Sequence, residues 1–421
     1  MRVYHSLYDR LLSSNALKDA FRKVKSAKGA AGIDGQSVYD FAAQEDVNVA
    51  QLVHELRTKT YRPQPNRQVA IPKENGGERI LGIPCVRDRV VQQALLNVLQ
   101  PIFEPQFHPS SYGYRPGRGC HQAIAKATRF IREFEMQWVV DMDLSRCFDT
   151  LDHRLILQAF RRRIADGSIL ALLRLFLKSG VMTNEGWQVS ETGSPQGGVI
   201  SPLIANVYLD AFDQEMKRRG HRIVRYADDV LIFKTSRSGA ENALQQATSL
   251  LEKSLALTVN RDKTRILHAR SGIPYLGVLI GTRTSAIQPQ KLARFKQRVK
   301  VLTRRNSPVN LAKVISDLNP LLRGFANYFR VANCKKLLEE LMKWVRRRLR
   351  AKQLALWKKP KKLHRRLRQL GYKGDFQCIA MRKWHNSASP LANYALPNAE
   401  LKKQGLFDMH SVETGVLPHV A

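Results

Sequence analysis

Two periodicities alternate along the chain. Between residues 335 and 350 the apolar positions Leu338, Leu341, Met342, Val345 and Leu349 recur at steps of three and four. That spacing predicts a helix with one apolar stripe. Lys343, Arg346, Arg347 and Arg350 fall elsewhere on the wheel, so the stripe is expected to pack on a core while the cations face outward. Elsewhere the pattern is that of strands. Val139 and Val140 open a β-type run, and Asp141 and Asp143, two apart, share one face of it. Residues 222–233 hold two apolar runs rich in β-branched residues on either side of Tyr226-Ala227-Asp228-Asp229. This predicts strand, tight turn, strand, with adjacent carboxylates at the tip. Residues 193–198 form a Gly-rich loop that runs into the apolar stretch 199–209, residues 74–78 read as a hairpin turn, and residues 275–281 are β-rich. The most apolar stretch, 169–177, is broken by Arg174. No uncharged run approaches the ~20 apolar residues that span a bilayer. The first twelve residues carry Arg2, Asp9 and Arg10 and lack the apolar core of a signal peptide.

Composition adds a partner class. With 421 residues, two to three domains are expected, and 43% hydrophobic residues are enough for a sizeable core. Lys and Arg number 70 against 35 Asp and Glu, a net charge of +35. This argues against an ordinary metabolic enzyme and points to a polyanion, either nucleic acid or an anionic membrane. The charge is concentrated. Residues 291–370 carry 25 Lys or Arg and only three acids, Asp317, Glu339 and Glu340, which places a domain boundary near 290. Such an excess goes beyond what solubility needs and fits phosphate neutralisation. Phe325, Tyr328, Phe329, Trp344 and Trp357 are interleaved with the cations, as base-stacking platforms or as helix-packing core. Cys85, Cys120, Cys147, Cys334 and Cys378 form no CxxC pair, so neither a disulfide framework nor a cysteine-built zinc site is expected, and reduced thiols in an intracellular protein are. His385-Asn386 beside Trp384 has no companion Cys, His or Asp and reads as structural.

The chemistry lies in the carboxylates. Adjacent acids between two buried strands are costly unless compensated, and a plain turn would use Asn-Gly or Asp-Gly. A lone Asp-Asp is a solvated turn. Here a second Asp-bearing strand and a strongly basic chain favour a divalent cation instead. Hard oxygen ligands suit Mg²⁺, which takes phosphate oxygens as its remaining ligands. With Asp143 beside the hairpin, three carboxylates can hold two ions ~3.5–4 Å apart.

These residues also resemble a known family. Tyr226 to Asp229 (YADD) looks like the catalytic box of reverse transcriptases. Asp143 to His153 (DLSRCFDTLDH) is similar to the first carboxylate motif of group II intron reverse transcriptases, or maturases. Further blocks resemble that family in the same order: Lys28 to Gly35 (KGAAGIDG), Ile71 to Pro84 (IPKENGGERILGIP), Ser111 to Gly119 (SYGYRPGRG), Ser194 to Asn206 (SPQGGVISPLIAN), and Gly324 to Phe329 (GFANYF), which is similar to the thumb or X domain. Seven blocks in order, over roughly residues 1–370, make the signal specific.

The resemblance implies an α/β (α+β) right-hand polymerase. Fingers and an antiparallel-sheet palm are expected within 1–290, after an N-terminal extension of about forty residues. A basic helical thumb is expected at 291–370, then a tail at 371–421 of unassigned role. It implies RNA-templated DNA synthesis from a 3′-hydroxyl primer with Mg²⁺, or Mn²⁺ as a substitute. Asp143, Asp228 and Asp229 would hold the metals. Asp143 is preferred to Asp141 because its spacing to Phe148, Asp149 and His153 fits the family pattern. Lys263, in NRDKT, resembles the lysine that protonates departing pyrophosphate. Lys73, Arg79 and Gln196 would contact the incoming nucleotide, and Phe148 would press on the sugar's 2′ position. Lys73 and Arg79 equally suit an ordinary charged hairpin, and Phe148 a core position. Arg115, Arg118, Gly197, Gly198 and Tyr226 are assigned to template and primer, although Arg115 and Arg118 also suit turn chemistry. Residues 275–281 resemble the primer-gripping hairpin. The expected partners are intron RNA as template and splicing substrate, a DNA or RNA primer with its target DNA, and deoxynucleoside triphosphates, in the cytoplasm and without a membrane. The CxxC-bearing endonuclease module of longer members is absent from the sequence, so the primer is expected from elsewhere, such as a replication fork. A domesticated repair enzyme and a non-catalytic splicing factor are the alternative readings.

Overall fold

The computed structural model describes residues 2–72, 77–183, 186–188, 192–193, 197–356, 360–371, 373 and 390–420. The chain forms two compact units, residues 1–123 with 135–267, and residues 124–134 with 268–421.

The first unit is built around two four-stranded sheets. One has the order β2-β1-β4-β5, from β1 (Asn66–Pro72), β2 (Glu78–Ile83), β4 (Val181–Thr183) and β5 (Gly186–Gln188). β1 and β2 pair antiparallel from Arg67 opposite Ile83 to Pro72 opposite Glu78, which is the expected hairpin; its tip at 73–76 lies outside the described residues. The other sheet has the order β6-β7-β3-β8, from β3 (Trp138–Met142), β6 (Arg222–Tyr226), β7 (Asp229–Lys234) and β8 (Arg265–His268). In it β6, β7 and β3 run antiparallel. Val139, Val140, Ile223, Val224, Val230, Leu231, Ile232 and Phe233 are at most 1% exposed, so these strands are covered on both faces. Helix Ser201–Arg218 buries a broad face through Leu203, Ile204, Val207, Tyr208 and Phe212. Gln92 accepts from the Val199 N–H at 2.8 Å and so holds the entry to that helix. Helices here start on side-chain caps. Ser13 accepts from the Ala16 N–H, and Ser37 with Asp40 forms a reciprocal capping box.

The second unit opens with a three-stranded antiparallel sheet, β11-β10-β9, of β9 (Ile273–Tyr275), β10 (Val278–Ile280) and β11 (Ser285–Ile287). The helices Pro289–Leu302, Leu311–Phe329, Lys335–Leu356 and Pro360–Gln369 follow. The apolar stripe of 335–350 is buried as expected, with Leu338, Leu341, Met342, Val345 and Leu349 at most 2% exposed. The expectation that every cation of this helix faces outward is corrected at Arg350, which is 6% exposed. Its guanidinium donates to the Leu396 carbonyl at 2.9 Å and to Asn398 Oδ1 at 2.7 Å. Arg346 is likewise held by Asp408 at 2.9 Å. The C-terminal residues cover that side of the helix.

Cys85, Cys120, Cys147 and Cys334 are free thiols. Trp357, Cys378, Trp384, His385 and Asn386 lie outside the described residues. Among the described residues no helix is long and apolar enough to cross a membrane.

Candidate active site

The second sheet of the first unit carries the acids. β6 and β7 pair down to Tyr226 opposite Asp229, so Ala227 and Asp228 form a two-residue turn and Asp229 is the first residue of β7. The adjacent carboxylates stand at the hairpin tip, as the sequence predicts. β3 pairs with β7 through Asp141 opposite Leu231 and Met142 opposite Val230. Carrying that register one pair further sets Asp143 across from Asp229, on the face that Asp141 shares.

Asp143, just beyond β3, is fixed from the loop at 258–264. The Asn260 N–H donates to the Asp143 carbonyl at 2.9 Å, and Asn260 Nδ2 donates to Asp143 Oδ2 at 2.9 Å. Lys263 Nζ lies 3.4 Å from the same oxygen. Asp141 turns instead to Arg265, at 3.5 Å. Burial raises the Asp141 carboxyl above its usual range, against the pull of Arg265. Asp229 is exposed at the start of β7. Loss of solvation at its carboxyl, then the negative charges of Asp228, Asp141 and Asp143, push it up to about 7, with Lys263 acting in the opposite sense.

Asp143 and Asp228 open onto one cleft of about 850 Å³. Phe148, Gly197, Gly198, Leu81, Asn260 and Lys263 also line it. Phe148 sits in the short helix Cys147–Thr150, with the Tyr114 ring edge-on at 6.1 Å. The backbone at 192–193 is laid against that helix. Gly193, at φ +85°, donates to the Leu151 carbonyl at 2.8 Å, and a Cβ there would meet the Asp149 carbonyl oxygen at 2.7 Å. Gly197, at φ +115°, likewise leaves room for the Gly82 carbonyl of β2.

The other expected residues fall as follows. Tyr226 is half-buried at the end of β6 and is not among the residues lining the cleft. Arg115 is 6% exposed. It pairs with Glu104 at 2.7 Å and donates to the carbonyls of His108 and Ser111, contacts that tie the loop together. Arg118 also donates to a carbonyl of that loop, from Pro109, and lies over the Tyr112 ring. Lys73, Gln196 and the side chain of Arg79 lie outside the described residues. Sequence reasoning missed Asn260, whose signal was its place in NRDKT beside Lys263. It also missed Arg225, Asp213, Asn206 and Gly113 behind the turn, for which the only local sign was an arginine inside an apolar β run.

Three clustered carboxylates are the donor set of a hard, oxygen-seeking dication. Among the described residues no three His, Cys, Asp or Glu side chains could ligate one ion as they stand. The chemistry nevertheless fits Mg²⁺, which binds through one or two carboxylates and completes its shell with phosphate oxygens and water.

Comparison with known proteins gives the family. Residues 71–280 match the family described as reverse transcriptase (RNA-dependent DNA polymerase). Residues 292–371 match the group II intron, maturase-specific domain. Protein YkfC of Escherichia coli K12 is 38% identical over 300 residues, covering 62% of this chain and 79% of YkfC. The group II intron-encoded protein LtrA of Lactococcus lactis is 29% identical over 351 residues, covering 67% of this chain and 58% of LtrA. Nuclear intron maturase 2 of Arabidopsis thaliana, a mitochondrial protein, is 27% identical over 238 residues, covering 47% of this chain and 31% of that one. Among solved structures, telomerase from Candida albicans with a fragment of telomeric RNA aligns at a TM-score of 0.43 and 13% identity, over 78% of this chain and 65% of that one. The fold and the acids thus define a reverse transcriptase domain, an RNA-directed DNA polymerase by family. The chain belongs to the group II intron reverse transcriptases/maturases, with the polymerase domain followed by the maturase-specific domain.

Proposed function

We propose that this chain extends a 3′-hydroxyl primer on an RNA template with deoxynucleoside triphosphates, and that its basic C-terminal helices grip a folded intron RNA and assist its splicing. The observation that carries the reading is the convergence of Asp143, Asp228 and Asp229 from facing strands beside one roomy cleft. Asp143, Asp228 and Asp229 would hold the Mg²⁺ ions. When bound, such ions would offset phosphate charge and ease deprotonation of the primer hydroxyl.

The chain's own groups do the rest. Asn260 orients Asp143. Lys263, at the cleft, stands where a proton can pass to the departing pyrophosphate. Phe148 presses on the sugar from the cleft wall and excludes a 2′-hydroxyl. Gly197 and Gly198 let the backbone approach a base closely. Fingers and palm within 1–290 and a thumb at 291–370 are the domain roles this implies, in a cytoplasmic, nucleic-acid-bound protein. Shape and phosphate contacts are the way folded RNA is read, and the excess of cations in 291–370 supports that role.

Primer extension on an RNA template tests the reading. Wild type with Mg²⁺ should extend, chelation should stop it, and Asp228→Asn/Asp229→Asn should lower the rate by about a thousandfold or more. Extension unaffected by the double substitution defeats the proposal. Phe148→Ala should admit ribonucleotides more readily in single-nucleotide extension, and unchanged sugar discrimination removes Phe148 from that role.

A further inference from the structure

The turn that presents Asp228 is held from inside the protein. Arg225 lies in β6 two residues before that turn, and its side chain and that of Asp213 are both 0% exposed. Its Nε donates to both carboxylate oxygens of Asp213 at 2.9 Å, and Nη2 donates to Oδ2 at 2.6 Å. The remaining nitrogen, Nη1, reaches past the acid. It donates to the Ala227 carbonyl at 2.9 Å and to Asn206 Oδ1 at 3.0 Å. Asn206 Nδ2 in turn donates to the Gly113 carbonyl at 2.9 Å. Gly113 also lies against the turn, where a Cβ would stand 2.2 Å from the Ala227 nitrogen. The Arg225 backbone is tied down too: its N–H donates to the Ser110 carbonyl and its carbonyl accepts from the Tyr112 N–H, both at 2.9 Å.

Two physical arguments give this cluster a purpose. Ala227 sits at φ +57°, a left-handed conformation that a non-glycine residue keeps only when its surroundings over-determine it. And a buried ion pair is no more stabilising than a well-packed apolar pair. What an apolar pair lacks is a donor aimed at the Ala227 carbonyl.

We infer that Arg225, Asp213 and Asn206 form a positioning cradle that fixes the Ala227 carbonyl and thereby the directions of Asp228 and Asp229. None of the three is a catalytic residue; they act through the turn. The cradle also joins the loop at 110–113 to two consecutive elements distant from it in sequence, the helix that follows Gly198 and the carboxylate hairpin. The inference rests on the polymerase reading of these acids, so its test has one arm that does not depend on polymerisation.

The test uses the full chain carrying Asn206→Ala, with Arg225→Lys as a second variant that keeps a cation for Asp213 and loses the fork. Steady-state extension should show kcat lowered about tenfold with the KM for nucleotide within about twofold, because misaligned acids slow chemistry without removing binding contacts. Amide hydrogen exchange, read by mass spectrometry over residues 222–233, should be severalfold faster in both variants while the melting temperature stays near that of wild type. Unchanged kcat in a folded variant overturns the inference, and so does unchanged exchange across the turn. Should neither variant fold, wild type decides alone: a cradled turn exchanges as slowly as the strands beside it, and a turn that exchanges like a free hairpin tip overturns the inference. If wild type extends no primer, the polymerase reading fails while the exchange arm still rules on the cradle.

Discussion

A buried cation beside the carboxylate turn and two buried cations of the second unit are satisfied in different ways. In the first unit Arg225 is neutralised by Asp213, which accepts three of its hydrogen bonds. In the second, Lys352 is 0% exposed and Arg350 6%. Lys352 donates to the carbonyls of Ser307 at 2.9 Å and Arg304 at 3.4 Å, and Arg350 to a carbonyl and an asparagine. Acids are scarce where these side chains lie, with three in residues 291–370. Backbone dipoles do the work that a carboxylate does beside the Ala227-Asp228 turn. A cation held by an acid leaves a naked charge behind when its partner is lost. Lys352, held by carbonyls of a loop next to solvent, leaves only dipoles there when it is removed.

The largest effect should therefore come from Asp213→Ala. It leaves the Arg225 guanidinium buried without a counter-charge, a situation that costs about 3–5 kcal/mol. Urea unfolding should show that loss, and a cost below about 1 kcal/mol would mean Arg225 is not sealed from water. Replacing both partners, Asp213→Leu with Arg225→Met, sharpens the point. Stability should return to within about 1–2 kcal/mol of wild type, while primer extension stays depressed because the donor to Ala227 is gone.

This contrast also marks where the sequence was legible. The carboxylate hairpin is a local feature: two β-branched runs and a short polar break between them specify β6, the turn and β7 without tertiary help. The helix at 335–350 is legible for the same reason, and its five apolar positions are all buried. What the sequence concealed is non-local. Asp213 is one of several polar residues on an 18-residue helix, and no local pattern singles it out from Asp210 or Glu215 as the partner of Arg225. Gly113 matters because the Ala227 nitrogen approaches it, across more than a hundred residues. Charge counting has the same limit. The tally in 291–370 is correct, yet Arg350 and Lys352 face the interior, so net charge overstates the cations offered to a phosphate backbone.

Gly113→Ala probes the same cradle by volume instead of charge. The added methyl would stand 2.2 Å from the Ala227 nitrogen, backbone that cannot swing away. Overpacking of this kind costs about 1–3 kcal/mol. Unfolding measurements should show that cost alongside a fall in extension, whereas the equivalent change at Gly324, where a Cβ meets nothing within 4 Å, should leave both near wild type.

A pH experiment probes the acids beside the buried ion pair more gently. Burial, and then the negative charge of Asp213, raise the Asp210 carboxyl to about 6. An acid whose folded value lies above its unfolded one binds its proton more tightly when folded. Its ionisation therefore opposes folding, an effect absent below about pH 4 that grows as pH rises and is fully present above about 6. Asp210→Asn removes it, so the variant should gain stability relative to wild type between pH 5 and pH 8, as read from paired urea titrations. A stability difference independent of pH would show that Asp210 titrates normally.

The smallest effect should be at Lys352→Met. The substitution keeps an unbranched apolar stem of similar length, takes a charge out of the interior, and leaves the Ser307 and Arg304 carbonyls in a loop next to solvent. Losing one such hydrogen bond costs about 0.5–1.5 kcal/mol, and ending the desolvation of an ammonium offsets part of it. Chemical unfolding should place the variant within about 1 kcal/mol of wild type. A loss as large as that of Asp213→Ala would mean that the second unit relies on its buried charge as heavily as the first does. The distinction between acid-held and carbonyl-held cations would then fail.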